Sequence, residues 1–355
     1  MKKGLSKFAC EFVLISLMCL SSACSPQSYG LASVSQSFGQ SAAVVSNKVD
    51  ILWVVDNSAS MTTLQNNLVQ NFSAFISDFM TKGYDFQMAV TSTDAYLSSV
   101  YFDNNPKLSV FRDGGTTHSG ISVITPQTPN VISTFVTNAS LGQTGSGDER
   151  AFSSIRATLN NSLNAGFLRQ DAYLAIIILS DEDDFSGDGR AEGGGTDHDY
   201  TASTLDSVDS YISYLDSMTG STSSQRRYGV SAIAVLDNTC LAAHRADSSS
   251  TIVGQRYIEI ANKTDGVLGS ICDSSYASSL TVIKNKIIEL STRFPLDRSA
   301  NSSTIQVVVN GVTVPQSTSN GWSYDSSSNS ILFHGTATPA QGSRITVNYT
   351  PDGAK

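Results

Sequence analysis

The stretch Val49-Asp50-Ile51-Leu52-Trp53-Val54-Val55 is a run of strand-forming residues that ends abruptly in Asp56-Asn57-Ser58-Ala59-Ser60. Apolar residues then recur at helical spacing, at Leu64, Leu68, Phe72, Phe75 and Phe79. In an open α/β sheet, ligands bind outside the carboxyl ends of the strands. Small oxygen side chains at alternate positions there can converge on one hard cation. Mg²⁺ wants near-octahedral oxygen ligation and keeps some of its waters. Asp56, Ser58 and Ser60 therefore read as half of a divalent metal site. The same residue types are preferred helix N-caps, so they can also be read as capping the helix that follows.

Further along, Ala175-Ile176-Ile177-Ile178-Leu179 is a second buried-looking strand, and it ends in Ser180-Asp181-Glu182-Asp183-Asp184. Between the two strands, Gly142-Gln143-Thr144-Gly145-Ser146-Gly147-Asp148-Glu149 is a Gly-rich loop with two hydroxyls, leading into a helical pattern at 151–163. Strand-like segments at 84–91 and 228–236 alternate with helix-like ones at 205–218, 258–263 and 280–290, the pattern of a sheet flanked by helices. The region 95–141 is long, polar and rich in turns, with an edge strand expected near 109–112. Residues 181–200 carry many acids among glycines but lack the ordered spacing of an EF-hand, and they read as a solvated loop. Composition shifts after Phe294-Pro295. Asn310-Gly311, between two runs of β-branched residues, is a strong hairpin signal, and a second hairpin is expected around 325–329. This last part has fewer than 60 residues, too few to be more than marginal alone, so it is expected to dock on what precedes it.

The Asp-x-Ser-x-Ser spacing resembles the metal-ion-dependent adhesion site of von Willebrand factor A domains. The resemblance covers residues 48–293 in order and pattern. It implies an α/β fold, a doubly wound and mostly parallel sheet flanked by helices, to which a small C-terminal all-β domain is appended. The family's site takes two more residues from later loops. Asp181 matches its Asp. For its Thr, residue type favours Thr144 and distance from the following helix favours Ser146. The implied cofactor is Mg²⁺, or Mn²⁺ or Ca²⁺ in its place. The implied partner is a protein that offers an Asp or Glu carboxylate as the cation's remaining ligand. Asp94, at the end of another strand, can be read as supporting the metal ligands from behind or as capping a turn, and the turn cap is the favoured reading.

The start of the chain has a different character. Lys2, Lys3 and Lys7 precede a mostly apolar stretch at 12–20 that is too short to span a membrane, the make-up of a secretory signal. Ser21-Ser22-Ala23-Cys24 resembles the lipobox of bacterial lipoproteins, although Ser21 stands where that family prefers Leu. Cys24 is then the expected lipidation site. Ser25 is not an acidic retention signal, so the expected place is the outer membrane of a bacterial envelope. The expected order is a signal over 1–23, a lipid-anchored tether over 24–44, the α/β domain over 45–295 and the β domain over 300–355. Cys240 and Cys272 are the pair left for a disulfide in an oxidising compartment. The net charge is −9, and without the three Lys and one Glu of residues 1–23 it is −11, which disfavours nucleic acid as a partner.

Nothing in the sequence compels an enzyme. His118, His198, His244 and His334 share no metal-binding spacing, and neither a Gly-x-Ser-x-Gly elbow nor a Walker loop is present. The reading is a surface-anchored, metal-dependent binding or adhesion module. Two alternatives remain: a metal-dependent hydrolase using Asp183 and Asp184 as acid and base, and a structural envelope protein with a degenerate site.

Overall fold

Side chains of a strand alternate between faces, and residues 49–55 do so without exception: Val49, Ile51, Trp53 and Val55 join one buried cluster, Leu52 and Val54 another. A strand buried on both faces belongs in the middle of a layered α/β structure. The computed structural model describes residues 38–39, 43–44, 48–187, 200, 202–223, 225–245, 251–340 and 342–352. Its strands begin with Phe38–Gly39 (β1), Ala43–Val44 (β2), Lys48–Val55 (β3), Asp85–Ser92 (β4), Val123–Ile124 (β5), Tyr173–Leu179 (β6), Tyr228–Ala234 (β7) and Leu268–Ser270 (β8). Phe294–Pro295 (β9), Gln306–Val309 (β10), Val312–Val314 (β11), Gly321–Asp325 (β12), Ser330–His334 (β13) and Arg344–Tyr349 (β14) complete them. The helices are Thr62–Thr81 (α1), Val131–Ala139 (α2), Ala151–Asn160 (α3), Val208–Thr219 (α4), Asn238–His244 (α5), Gln255–Lys263 (α6) and Ala277–Ser291 (α7).

The central sheet runs β5-β4-β3-β6-β7-β8, parallel throughout except for β5, which lies antiparallel on β4. Helices α1, α2 and α7 cover one face, where Trp53 meets the edge of Phe75 at 5.1 Å between ring centroids. Helices α3, α4 and α6 cover the other through Phe152, Tyr211 and Tyr257. The fold is thus α/β and doubly wound, as the resemblance to von Willebrand factor A domains implies. Register matters most for function. Val55 pairs with Ser92 on one side and with Leu179 on the other, and Leu179 pairs with Ile233. The carboxyl ends are therefore level, and Asp56, Thr93 and Ser180 leave the sheet side by side. The chain turns to opposite sides of β3 here, so this edge is the topological switch point where such sheets bind ligands.

The C-terminal residues form two antiparallel sheets over a shared core that includes Val307, Trp322, Phe333 and Val347. Asn310 and Gly311 both have positive φ (50° and 82°), the backbone that the tight β10–β11 hairpin requires. Phe294 pairs with Ile331, so the point at which composition shifts is itself a strand of the second sheet. β1 and β2 fall inside the expected tether, yet their backbones pair with β14, Phe38 with Tyr349 and Ala43 with Ile345. An open strand edge is a template for such pairing. Cys24 lies outside the described residues. Among the described residues no helix is long and apolar enough to cross a membrane.

Residues 95–141 depart from expectation. The edge strand is β5, whereas 109–112 contributes a single bridge, Arg112 to Val90, after a 3-10 turn at Pro106–Ser109. Pro106 fixes the turn and lacks an N–H for a ladder, and the Asn105 side chain accepts from Lys107 N. Helix α2 was hidden by its Ser, Thr and Asn residues, although Val131, Phe135 and Ala139 sit at helical spacing and are buried.

Candidate metal centre

Helix α1 begins at Thr62, and Met61 at its N-cap makes no side-chain capping bond. The oxygens of Asp56, Ser58 and Ser60 are therefore not spent on capping. Asp56 is fully buried. Its Oδ1 accepts from Ser58 N at 2.8 Å and its Oδ2 from Ser180 Oγ at 2.7 Å. Ser58 Oγ and Ser60 Oγ are 3.3 Å apart, and Ser60 Oγ donates to Asp181 Oδ1 at 3.1 Å. Four sequence-picked residues from two loops 121 positions apart thus form one connected group. Asp181 is fully buried too, and its Oδ2 lies 3.3 Å from His244 Nε2 and 3.4 Å from Thr251 Oγ1.

The third loop comes close without closing the group. Gly145 N donates to Asn57 O at 2.9 Å, and a Cβ on Gly145 would lie 2.3 Å from the Asn57 side chain, so only glycine permits this approach. Thr144 is exposed. Ser146 Oγ lies 3.4 Å from Tyr96 OH and accepts from Asp148 N at 3.1 Å. Neither hydroxyl is hydrogen-bonded to Asp56, Ser58, Ser60 or Asp181. Gln65, which sequence reasoning passed over, holds the loops together: its Nε2 donates to Asp56 O at 2.8 Å and to Gly142 O at 3.0 Å, while its Oε1 accepts from Gly142 N. The readable signal was an amide between Leu64 and Leu68 on a helix face otherwise apolar. Asp94 ties Asn57 Nδ2 (3.0 Å) to Arg112 Nη2 (3.1 Å), and its side chain makes no capping bond to the following 3-10 turn. The turn-cap reading of Asp94 is corrected accordingly.

The acidic loop is corrected as well. Residues 181–187 are buried rather than solvated, and 188–199, including His198, lie outside the described residues. Asp184 Oδ1 accepts from Phe152 N at the start of α3, and its Oδ2 pairs with Arg256 at 3.1 Å. Asp183 accepts from Arg256 N and from Asp184 N. Both carboxylates are thus engaged in holding α3, α6 and the β6 loop together. Burial pushes the Asp183 carboxyl up to about 7. Burial first, and then the neighbouring Asp181, pushes Asp56 up to about 7 as well. Asp148 and Arg150 form a fully buried ion pair, with the guanidinium 4.7 Å from the Tyr96 ring.

Asp56, Ser58, Ser60 and Asp181 offer carboxylate and hydroxyl oxygens, the chemistry that Mg²⁺, Mn²⁺ and Ca²⁺ accept, and the His244 imidazole stands behind Asp181. Among the described residues no three carboxylate, imidazole or thiol side chains converge as a ready-made chelate. The donor set is instead mixed, with two serines between two aspartates. Away from this point, Cys240 in α5 and Cys272 beyond β8 are joined as a disulfide, with Cα atoms 5.7 Å apart.

No family model matches the chain, and no curated protein matches it. Among solved structures it is similar to the pilus adhesin SpaC from Lactobacillus rhamnosus GG in its open conformation, at 15% identity over 87% of this chain and 40% of that one, with TM-score 0.41. Proximal thread matrix protein 1 of the mussel byssus is another, at 13% identity, 73% and 51% coverage, and TM-score 0.36. A third is the ArnB paralog VWA2 from Sulfolobus acidocaldarius, at 12% identity, 88% and 59% coverage, and TM-score 0.31. The chain thus spans between 40% and 59% of the length of these structures. Likeness of this degree says nothing of partner or activity.

Proposed function

We propose that this chain is a surface-anchored, divalent-metal-dependent binding or adhesion module. Asp56, Ser58, Ser60 and Asp181 would hold Mg²⁺, or Mn²⁺ or Ca²⁺, with a hydroxyl from Thr144 or Ser146 as a further ligand. The cation, when bound, supplies an electrophilic position for an Asp or Glu carboxylate of a partner protein. Lipid on Cys24 would tether the module to the bacterial envelope, at the outer membrane. The observation that carries the reading is the hydrogen bond from Ser60 to Asp181, which joins two strand-end loops while the serines remain free of capping duty. Ser58 is nearly buried and Ser60 half-buried, so an approaching carboxylate meets the serine side of the group.

A metal-dependent hydrolase is the weaker reading, because Asp183 and Asp184, its candidate acid and base, are taken up by Arg256 and backbone amides. Asp56→Ala is expected to abolish Mg²⁺-dependent capture of envelope or neighbouring-cell proteins in a pull-down while leaving the circular dichroism spectrum native. Normal capture by Asp56→Ala in chelator would refute the mechanism. Turnover of simple esters that is lost in chelator would select the hydrolase, and absence of Mg²⁺ and Mn²⁺ binding by calorimetry would select the structural envelope protein.

A further inference from the structure

Where the amino end of the central sheet meets the C-terminal strands lies a cleft of about 400 Å³, a size that suits small organic ligands. Lys48 and Tyr173, the first residues of β3 and β6, line it together with Leu290 of α7, Phe294 of β9 and Ile345 of β14. Four cationic side chains face it, Lys48, Arg226, Arg227 and Arg293, against one acid, Asp171, which Lys48 meets at 2.6 Å. In a chain of net charge −9 that is a local reversal. Val45, Ser46, Asn47 and Ser224, which adjoin the lining in sequence, carry no charge. Arg293 is the group that points to a ligand. Its side chain is 12% exposed, yet its Nε is shielded from solvent without a hydrogen-bond partner among the described residues. Its two acids stand off, Asp265 at 3.5 Å and Asp325 at 4.0 Å, beyond normal hydrogen-bond distance. Both acids line a separate cavity of about 170 Å³ and neither lines the larger cleft. Leaving a buried donor unmade is costly, and more so on a charged group. Arg227 donates to the backbone oxygen of Gln170 and to no carboxylate among the described residues.

We propose that this cleft binds a small organic carboxylate with an apolar body. The carboxylate would sit on the Arg293 guanidinium, whose planar fork matches two oxygens at once. The body would lie on the apolar wall made by Leu290, Phe294 and Ile345. The remaining cations raise the local potential that draws an anion in. A singly charged anion fits better than a phosphate dianion, because Lys48 and Arg293 already face acids from other sides. The cleft is the length of β3, roughly 25 Å, from the edge that Asp56 occupies. Neither a metal ion nor a partner protein is needed for this binding.

The test uses the purified full chain, freed of metal, with sodium benzoate and sodium octanoate as probes in calorimetry. At least one is expected to bind with a Kd in the millimolar range or tighter. Benzyl alcohol, the uncharged counterpart, and inorganic phosphate are expected to bind about tenfold more weakly or worse. Arg293→Met, which keeps an apolar stem and removes the fork, is expected to weaken the carboxylate about tenfold or more. Arg293→Lys, which keeps the charge without the fork, is expected to lose nearly as much. Arg227→Met, at an exposed position, repeats the test through a few-fold loss should neither Arg293 variant fold. No binding of either carboxylate, equal binding of benzyl alcohol, or unchanged affinity in whichever of these variants folds overturns the site. Inorganic phosphate held as tightly as benzoate overturns the carboxylate class. Affinity that appears only with Mg²⁺ present also overturns the cleft, since the surface group then holds the carboxylate. Benzoate binding in a chain that binds no Mg²⁺ would instead sink the surface reading and leave the cleft standing.

Discussion

Two buried acids at opposite ends of β3, Asp50 and Asp56, are treated in opposite ways. At the amino end, Asp50 is fully buried but accepts from Arg169 N at 2.7 Å and from Arg169 Nε at 2.8 Å, and the same guanidinium reaches Asp85 at 2.7 Å. At the carboxyl end, Asp56 has only neutral donors, Ser58 N and Ser180 Oγ, and its strongest charged neighbour is another aspartate. Burial raises both carboxyls, Asp50 to about 6 against the pull of Arg169, and Asp56 to about 7. The same residue type six positions apart along the chain is thus paired with a guanidinium at one end and met only by neutral donors at the other. The proposed metal ion would stand to Asp56 as the Arg169 guanidinium stands to Asp50.

The largest effect that can break this comparison is at Arg169. Arg169→Met strands Asp50 without its partner, and breaking a buried pair costs about 3–5 kcal/mol. Urea unfolding should show a loss of that order. A loss below about 1 kcal/mol would mean that the amino end is no better neutralised than the carboxyl end.

The second test is pH dependence in chelator. The folded pKa of Asp56 lies above the unfolded value of about 3.9, so between pH 4 and pH 7 the folded state holds a proton that the unfolded chain has released. The stability associated with this group is fully present below pH 4 and is lost as pH rises through 7. Asp183, also about 7, acts in the same direction. Together they predict a decline of several kcal/mol from pH 4 to 8, with a ceiling of about 4 kcal/mol for each group, read as urea midpoints at a series of pH values. Asp56→Asn should remove its share, so that in chelator at pH 8 the variant is more stable than the native chain by about 1–2 kcal/mol, the opposite sign to Arg169→Met. Stability that rises across this window, or an Asp56→Asn chain destabilised at pH 8, would show that the carboxyl end is not uncompensated.

How much of this was legible beforehand follows from the range of the physics. The α/β architecture was readable because β3, β4, β6, β7 and α1 are written in local periodicity. Asp56, Ser58, Ser60 and Asp181 were readable because strand-end position alone brings them to one edge. Gln65 and the burial of 181–187 were not, since each depends on how three loops pack, and a Gly-rich acidic run looks solvated until Arg256 and the α3 N-terminus are placed against it. Helix α5 escaped for a related reason. It is seven residues long, capped by Asp237 and held by the Cys240–Cys272 bond, so little in its own pattern announces it.

The smallest effect sharpens the comparison by separating burial from mere proximity of charge. Lys48 Nζ lies 2.6 Å from Asp171 Oδ2, as close as any pair at the amino end, but both side chains are open to water, at 35% and 59% exposure. Exposed pairs gain little, because solvent screens them and two long side chains lose freedom. Lys48→Met should therefore leave the urea midpoint unchanged within error, although the pair is shorter than the Arg169–Asp85 contact. If it instead shifted the midpoint as far as Arg169→Met, distance rather than burial would govern the amino end. The contrast with Asp56 would then lose its physical basis, because the carboxyl end differs from the amino end in what stands beside a buried acid, and in nothing else on which the argument for an external cation draws.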